Sequence, residues 1–389
     1  MFDYFVPTVN FFGRGSVNVT GERCEILGGK KVLIVTDSFL RNLPDGPVEK
    51  VVNSLKEKGI ETVFYDGVEP NPKDTNVYDG LKIFQVKDCD MIVTVGGGSA
   101  HDCGKGIGIA ATHSGDLYED YAGIERLSNP LPPLVCVNTT AGTASEVTRH
   151  CVITNTDKKI KYVIVSWRNT PLVSINDPEL MVGKPPALTA ATGMDALTHA
   201  VESYLSLGAN PVTDAAAIQA IKLISENLRQ AVAYGHNIEA RENMAYASLL
   251  AGMAFNNAGL GYVHAMAHQL GGLYDMPHGV ANAILLPHVE RFNIISNPQK
   301  FADIAKFMGE NIEGLSIRDA ADKAIAAIEK LSRDVKIPTN LKELGVKEED
   351  FEYMAEMALQ DGNAISNPIQ GKKEDIIEIF QAAFDSSSN

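Results

Sequence analysis

The chain lacks a cationic excess. Against 49 Asp and Glu it has 34 Lys and Arg, a formal net charge of -15. Nucleic acid and anionic membranes need a basic face on their partner, so neither is expected here. No apolar run reaches transmembrane length. The start, Met1-Phe2-Asp3-Tyr4, lacks the basic segment of a signal peptide. Paired cysteines are also missing. Cys24, Cys89, Cys103, Cys136 and Cys151 are scattered, odd in number and never in CxxC spacing. They are expected to be reduced thiols of a cytoplasmic protein. There is no internal repeat, and the one biased tract, Ser386 to Asn389, is expected to be disordered.

What is present describes a globular protein, with 45% hydrophobic and 21% charged residues. A length of 389 residues exceeds one ordinary core, so two domains are expected. Lys31 to Asp37 is a short apolar run ending in an acid, the pattern of a buried parallel strand. Helical signals at Pro47 to Lys58 and Val77 to Gln85 alternate with strand signals at Thr62 to Tyr65, Asp90 to Val95 and Leu134 to Thr139. That alternation predicts an α/β domain with a parallel sheet and helices on both faces. Thr8 to Gly13, followed by Gly15-Ser16, reads as an edge strand and turn, and an exposed edge carrying Phe11 and Phe12, within the aromatic stretch Phe2 to Phe12, invites pairing with another chain. Beyond a linker at about 178–187 the chain turns Ala-rich, with helical periodicity at Asp214 to Leu228, Ala240 to Phe255 and Ile317 to Leu331. The expected division is therefore 1–183, α/β, and 184–389, all-helical.

Several stretches carry chemistry. Gly96-Gly97-Gly98-Ser99 follows a strand and opens a helix, although it lacks the GxGxxG fingerprint. Glycines admit a phosphate close to the backbone, and the helix N-terminus attracts it. The competing reading is a tight turn. Asp37 ends a strand, where a carboxylate can accept from ribose hydroxyls and repel a 2'-phosphate, favouring NAD over NADP. It could equally cap the next helix. Asn138 to Glu146 is hydroxyl-rich after a strand, in the position of a ligand crevice; without a GxSxG elbow, Ser145 is a poor nucleophile candidate. Asp195 and His199 are four apart, on one helix face about 6 Å along the axis. His264 and His268 repeat the spacing, and His278 follows Pro277. One carboxylate with several imidazoles and no thiolate suits Fe(II) or Zn(II). Spacing alone does not choose between His264 and His268.

Five motifs together resemble the iron-activated, group III alcohol dehydrogenases, within their lactaldehyde reductase and propanediol dehydrogenase branch. They are GGGSxxDxxK at Gly96 to Lys105, TTAGTxSEVT at Thr139 to Thr148, PPALTAATGMDALTHAVE at Pro185 to Glu202, and GLGxVHAMAHxLG with the later PHGVANAILLPHV. The resemblance covers nearly the whole chain. It implies a dehydroquinate-synthase-like fold, a Rossmann-like NAD domain followed by a helical domain, with the active site between them. It implies metal ligation by Asp195, His199, His264 and His278, and leaves His268 near the nicotinamide. It implies NAD contacts from Asp37, Asn71, Gly97, Gly98, Ser99, Thr139, Thr140, Thr143 and Lys161. His150 and Phe255 fall where the family lines its substrate pocket. The expected activity is hydride transfer between NAD(H) and a small alcohol, diol or aldehyde, in a homodimer or higher homo-oligomer. The proton would pass through His268 or directly to water. Rivals on the same fold are a zinc polyol dehydrogenase, a dehydroquinate synthase and a non-catalytic NAD-binding module. A synthase should crowd cations around the metal motif, yet between Met194 and His278 stand only Lys222, Arg229 and Arg241, none beside a ligand. A non-catalytic module would be free to lose ligands, and all four are present.

Overall fold

The computed structural model describes residues 4–6 and 8–386; Phe2 and the tail beyond Ser386 lie outside the described residues. The chain divides into two compact units, Phe5–Val182 and Gly183–Asn389, and Tyr4 groups with the second.

The first unit runs β1 (Val9–Phe12), α1 (Thr20–Ile26), β2 (Lys31–Val35), α2 (Ser38–Asn42), α3 (Pro47–Glu57), β3 (Glu61–Tyr65), α4 (Asp74–Val86), β4 (Met91–Gly96), α5 (Gly98–Thr112), α6 (Leu117–Tyr121), β5 (Gly123–Ile124), β6 (Leu134–Asn138), β7 (His150–Asn155), β8 (Ile160–Val165) and β9 (Val173–Asn176). Six strands form one sheet in the order β1-β9-β6-β4-β2-β3, and every pairing in it is parallel. Both faces are covered, which is why β2 is apolar and buried from Val32 to Val35. Val32 and Ile34 pack with Val48, Val51 and Leu55 of α3, while Leu33 and Val35 pack with Val77 and Phe84 of α4 and Ile107 of α5. Each such side chain, fully buried, contributes roughly 1.5–3 kcal/mol. The chain leaves β2 for the edge strand β3 and returns to β4 on the other side of β2. Loops at the carboxyl ends of β2, β4 and β6 therefore gather where sheets of this kind take their ligands.

A second sheet, order β5-β8-β7, contains an antiparallel hairpin of β7 and β8. The parallel-sheet pattern does not announce it. All five cysteines are buried and free. Burial pushes the Cys24 and Cys136 thiols up to about 12 and the Cys89 thiol to about 11.

The second unit runs α7 (Pro186–Leu205), α8 (Pro211–Ala233), α9 (Ile238–Ala258), α10 (Tyr262–Tyr274), α11 (His278–Asn293), α12 (Pro298–Phe307), α13 (Ile317–Asp334), α14 (Phe351–Gln360) and α15 (Lys373–Asp385). Among the described residues it holds no strand. Alanine and glycine on facing sides let its helices approach closely. A Cβ on Gly193 of α7 would lie 2.3 Å from a Leu228 methyl on α8.

Candidate metal centre and nucleotide loops

Three helices of the second unit bring the candidate ligands together. Asp195 and His199 lie one turn apart on α7; His264 is the third residue of α10, and His278 is the first of α11. Gly279 sets the approach of α11 to α7: a Cβ there would sit 2.3 Å from the Ala191 carbonyl oxygen. One ligand atom from each of Asp195, His199, His264 and His278 lies within 4.8 Å of the others. Nε2 of His278 is 3.7 Å and Nε2 of His264 4.0 Å from Asp195 Oδ1. A tetrahedron of metal bonds has edges of about 3.4 Å, so small adjustments close this set on an ion. The donors are three imidazoles and one carboxylate, the set that suits Fe(II) or Zn(II). The residues present thus fit a divalent metal. Asp195, His199 and His264 are buried, and His278 is the partly exposed member.

The surroundings fix these rings. Phe255 of α9 stacks on His199 with centroids 4.4 Å apart, and His199 stacks on His264 at 4.5 Å. Nδ1 of His264 is hydrogen-bonded to Glu202 Oε2. Burial pushes the Glu202 carboxyl up to about 8, against the pull of the Val263 N–H and the imidazole of His199. A cation on the same centre adds to that pull. Asn282, one turn into α11, donates to Asp195 Oδ1 at 2.7 Å. His268 is not in the four-residue group. Its ring stacks on His278 at 5.7 Å, and its Nδ1 bonds to Asp361 Oδ2 at 2.7 Å. Sequence reasoning singled out none of Glu202, Asn282 and Asp361. Glu202 lies inside a quoted motif at i+3 from His199, and that spacing was its one available signal.

The candidate nucleotide residues all lie in the first unit. Asp37 caps α2, with Oδ1 accepting from the Leu40 N–H at 2.9 Å. α5 has no side-chain cap and no acid in its first turn, which holds Ser99. A Cβ on Gly97 would lie 2.7 Å from the Thr140 methyl, and one on Gly98 2.7 Å from that of Thr143. The loops after β4 and β6 therefore pack together only because these positions are glycine. Thr139 is buried, its N–H donating to the Gly96 carbonyl. Asn71 holds a positive φ of 51°, and its Oδ1 accepts from Lys161 Nζ at 3.0 Å. Of the neighbouring lysines, Lys158 pairs instead with Glu119. His150 opens β7, and its carbonyl accepts from Lys105 Nζ at 2.6 Å. Lys105 is fully buried, and also donates to Ser145 Oγ and the Thr148 carbonyl. Ser145 Oγ in turn donates to Asp102 at 2.6 Å, so it ties α5 to the following loop instead of standing as a nucleophile.

A parallel sheet with glycine-lined loops, and a helical unit that clusters one aspartate with three histidines, define a metal- and dinucleotide-dependent oxidoreductase. The chain belongs to the iron-containing alcohol dehydrogenase family: residues 7–178 match the model "Iron-containing alcohol dehydrogenase", and residues 189–384 match "Fe-containing alcohol dehydrogenase family, C-terminal". It is 73% identical to the 1,3-propanediol dehydrogenase of Klebsiella pneumoniae over 384 residues, 99% of each chain. It is 47% identical to the NAD-dependent methanol dehydrogenase of Bacillus methanolicus over 383 residues, 98% of this chain and 100% of the relative. A crystal structure of 1,3-propanediol oxidoreductase matches with a TM-score of 0.96 and 73% identity, covering 99% of this chain and 100% of that one. These likenesses agree with the branch indicated by the motifs. The protein is an NAD-dependent alcohol and aldehyde oxidoreductase of a family that uses iron. No helix among the described residues is long and apolar enough to cross a membrane.

Proposed function

We propose that the chain interconverts a short primary diol and its hydroxyaldehyde, of the 1,3-propanediol class, by hydride exchange with NAD. The observation that carries this reading is the convergence of buried Asp195, His199 and His264 with the partly exposed His278. The 73% identity to a 1,3-propanediol dehydrogenase narrows the substrate. Residues 1–183 form the NAD domain in this reading and 184–389 the metal domain. The protein is cytoplasmic and homodimeric, with no nucleic-acid or membrane partner.

Asp195, His199, His264 and His278 would hold the iron, which would supply a Lewis acid for the substrate oxygen. The chain's own groups do the rest. Phe255, stacked on His199, keeps that ring from turning and excludes water from its face. The N-terminus of α5, with Gly97, Gly98 and Ser99, takes the cofactor phosphates. Thr139, Thr140 and Thr143 lie on the adjoining loop, and Asn71 and Lys161, bonded to each other, add further cofactor contacts. Asp37 engages Leu40 through Oδ1 and offers Oδ2 to the ribose hydroxyls. His268 is held by Asp361 through Nδ1, so Nε2 is the atom that passes a proton between the alcohol and water. His150 contributes a polar group to substrate selection.

The test pairs elemental analysis with NADH oxidation against a panel of two- to four-carbon aldehydes and hydroxyaldehydes. His264→Ala should lose metal and activity together and keep NAD binding. His268→Ala should keep metal and lose turnover on the order of 10²-fold. If the His268 variant loses metal and the His264 variant keeps it, the ligand assignment is wrong.

A further inference from the structure

α10 begins without a cap of its own. Gly261 stands at its N-cap position and offers no side chain to the first turn. Buried helix N-termini leave orphan N–H groups that must find acceptors. Here the acceptors come from distant parts of the chain. Asn367 Oδ1 accepts from the Tyr262 N–H at 3.1 Å, and Glu202 Oε1 accepts from the Val263 N–H at 2.8 Å. The other Glu202 oxygen, Oε2, is bonded to Nδ1 of His264. One carboxylate on α7 thus grips both the backbone of α10 and the ring on its third residue. Glu202, His264 and Asn367 are all buried. Gly261 makes room for the grip: a Cβ there would lie 2.7 Å from Asn367 Oδ1 and 3.0 Å from Glu202 Oε1.

We propose that Glu202 is a positioning residue for the metal centre, holding His264 in the tautomer that presents a bare Nε2 to Asp195, His199 and His278. This inference rests on reading those four residues as ligands. A metal bound at Nε2 needs that atom's lone pair, which leaves the ring proton on Nδ1, and Glu202 Oε2 is the oxygen placed to accept it. The Val263 bond fixes the carboxylate in turn, which removes the ring's freedom to swing. Since α7 also carries Asp195 and His199, the grip sets the distance between two ligand-bearing helices.

Glu202→Gln tests this because it keeps size and leaves an acceptor for the Val263 N–H. It presents an amide N–H to Nδ1, which drives the ring proton to Nε2 and blocks that atom. Full-length, metal-stripped protein is titrated with Zn(II) against a chromogenic chelator, and NADH binding is followed by fluorescence. E202Q should bind Zn(II) about 10- to 100-fold more weakly than wild type while binding NADH equally well. Asn367→Ala removes the other cap on α10 and touches no ligand. It should lower the melting temperature of the metal-free protein and shift Zn(II) affinity by less than about threefold. If E202Q binds Zn(II) as tightly as wild type, or if N367A loses as much affinity as E202Q, Glu202 is only a helix cap and the proposal is overturned. If wild type itself binds no Zn(II), the ligand reading falls and takes the proposal with it.

Discussion

Asp37 has two tasks on two oxygens. Oδ1 closes the first turn of α2, and Oδ2 serves the proposed ribose contact. Asp37→Gly removes both. Gly is a tolerated N-cap, so the stability loss should be only a few tenths of a kcal/mol. The cofactor effect should be larger. Removing the charge that repels a 2'-phosphate should shift the NADPH-to-NADH ratio of kcat/KM by about 1–3 kcal/mol, roughly 5- to 150-fold. Steady-state kinetics with both cofactors measure it, and a wild type that already prefers NADPH contradicts it. At this scale the sequence was uneven. Asp195 and His199 were legible because helical spacing alone puts them on one face. His264 and His268 were not separable, since what divides them is tertiary placement: His264 joins Asp195, His199 and His278, and His268 does not. Glu202 takes the Nδ1 of one and Asp361 that of the other. Asp37 was readable both as a cap and as a cofactor contact, and the cap is present.

Helices and strands were the most legible elements wherever burial was two-sided or strictly one-sided. The continuous apolar run of β2 and the i, i+3, i+4 pattern of α3 are such cases. The β7–β8 hairpin escaped because its strands mix polar and apolar residues. Its alternating burial was a usable signal: Cys151, Ile153 and Asn155 are buried between partly exposed neighbours. The turn that ends β6 carries a prediction of its own. Glu146 is buried there, with Oε1 accepting from Asn138 at 3.0 Å. Burial pushes its carboxyl from 4.5 up to about 7, against the pull of Lys105 and the Asn138 bond. Below pH 4.5 the folded and unfolded chains both hold this proton. Between pH 4.5 and about 7 only the folded chain keeps it, so stability falls as pH rises through that window; above it the loss is complete. The size is on the order of 3 kcal/mol. Glu146→Gln keeps the Asn138 bond and removes the titration. The stability of the variant relative to wild type, from urea midpoints, should rise from pH 5 to pH 8. An equal difference at both values would show that the carboxyl titrates normally.

The whole molecule presents an open sheet edge at β1, which among the described residues pairs only with β9. Val9 is 58% exposed. Phe11, expected at the exposed edge, packs instead against its own core, with Arg23 stacked over the ring at 4.6 Å. In the proposed homodimer the partner surface would therefore be the backbone edge of β1 more than its aromatic side chains. Open edges invite pairing, and a twofold copy would close this one. Deleting residues 1–12 should turn a dimer into a monomer, by light scattering at micromolar concentration, before it costs metal or NAD affinity. A truncated protein that stays dimeric would move the interface elsewhere. Composition changes near residue 183, which is the signal behind the proposed division there. The homodimer is an expectation from the family resemblance, because a dimer contact leaves no periodicity in the sequence. The buried cysteines carry one further consequence, for how the enzyme ages. A thiol shut away from water and kept protonated is a poor target for oxidants. All five are shut away, and their acidity is suppressed, Cys24 and Cys136 to about 12. Ageing in air should therefore fall on the ferrous centre and spare the sulfur, so that ferrous salt, not a thiol reductant, is the remedy for a preparation that has lost activity on the bench.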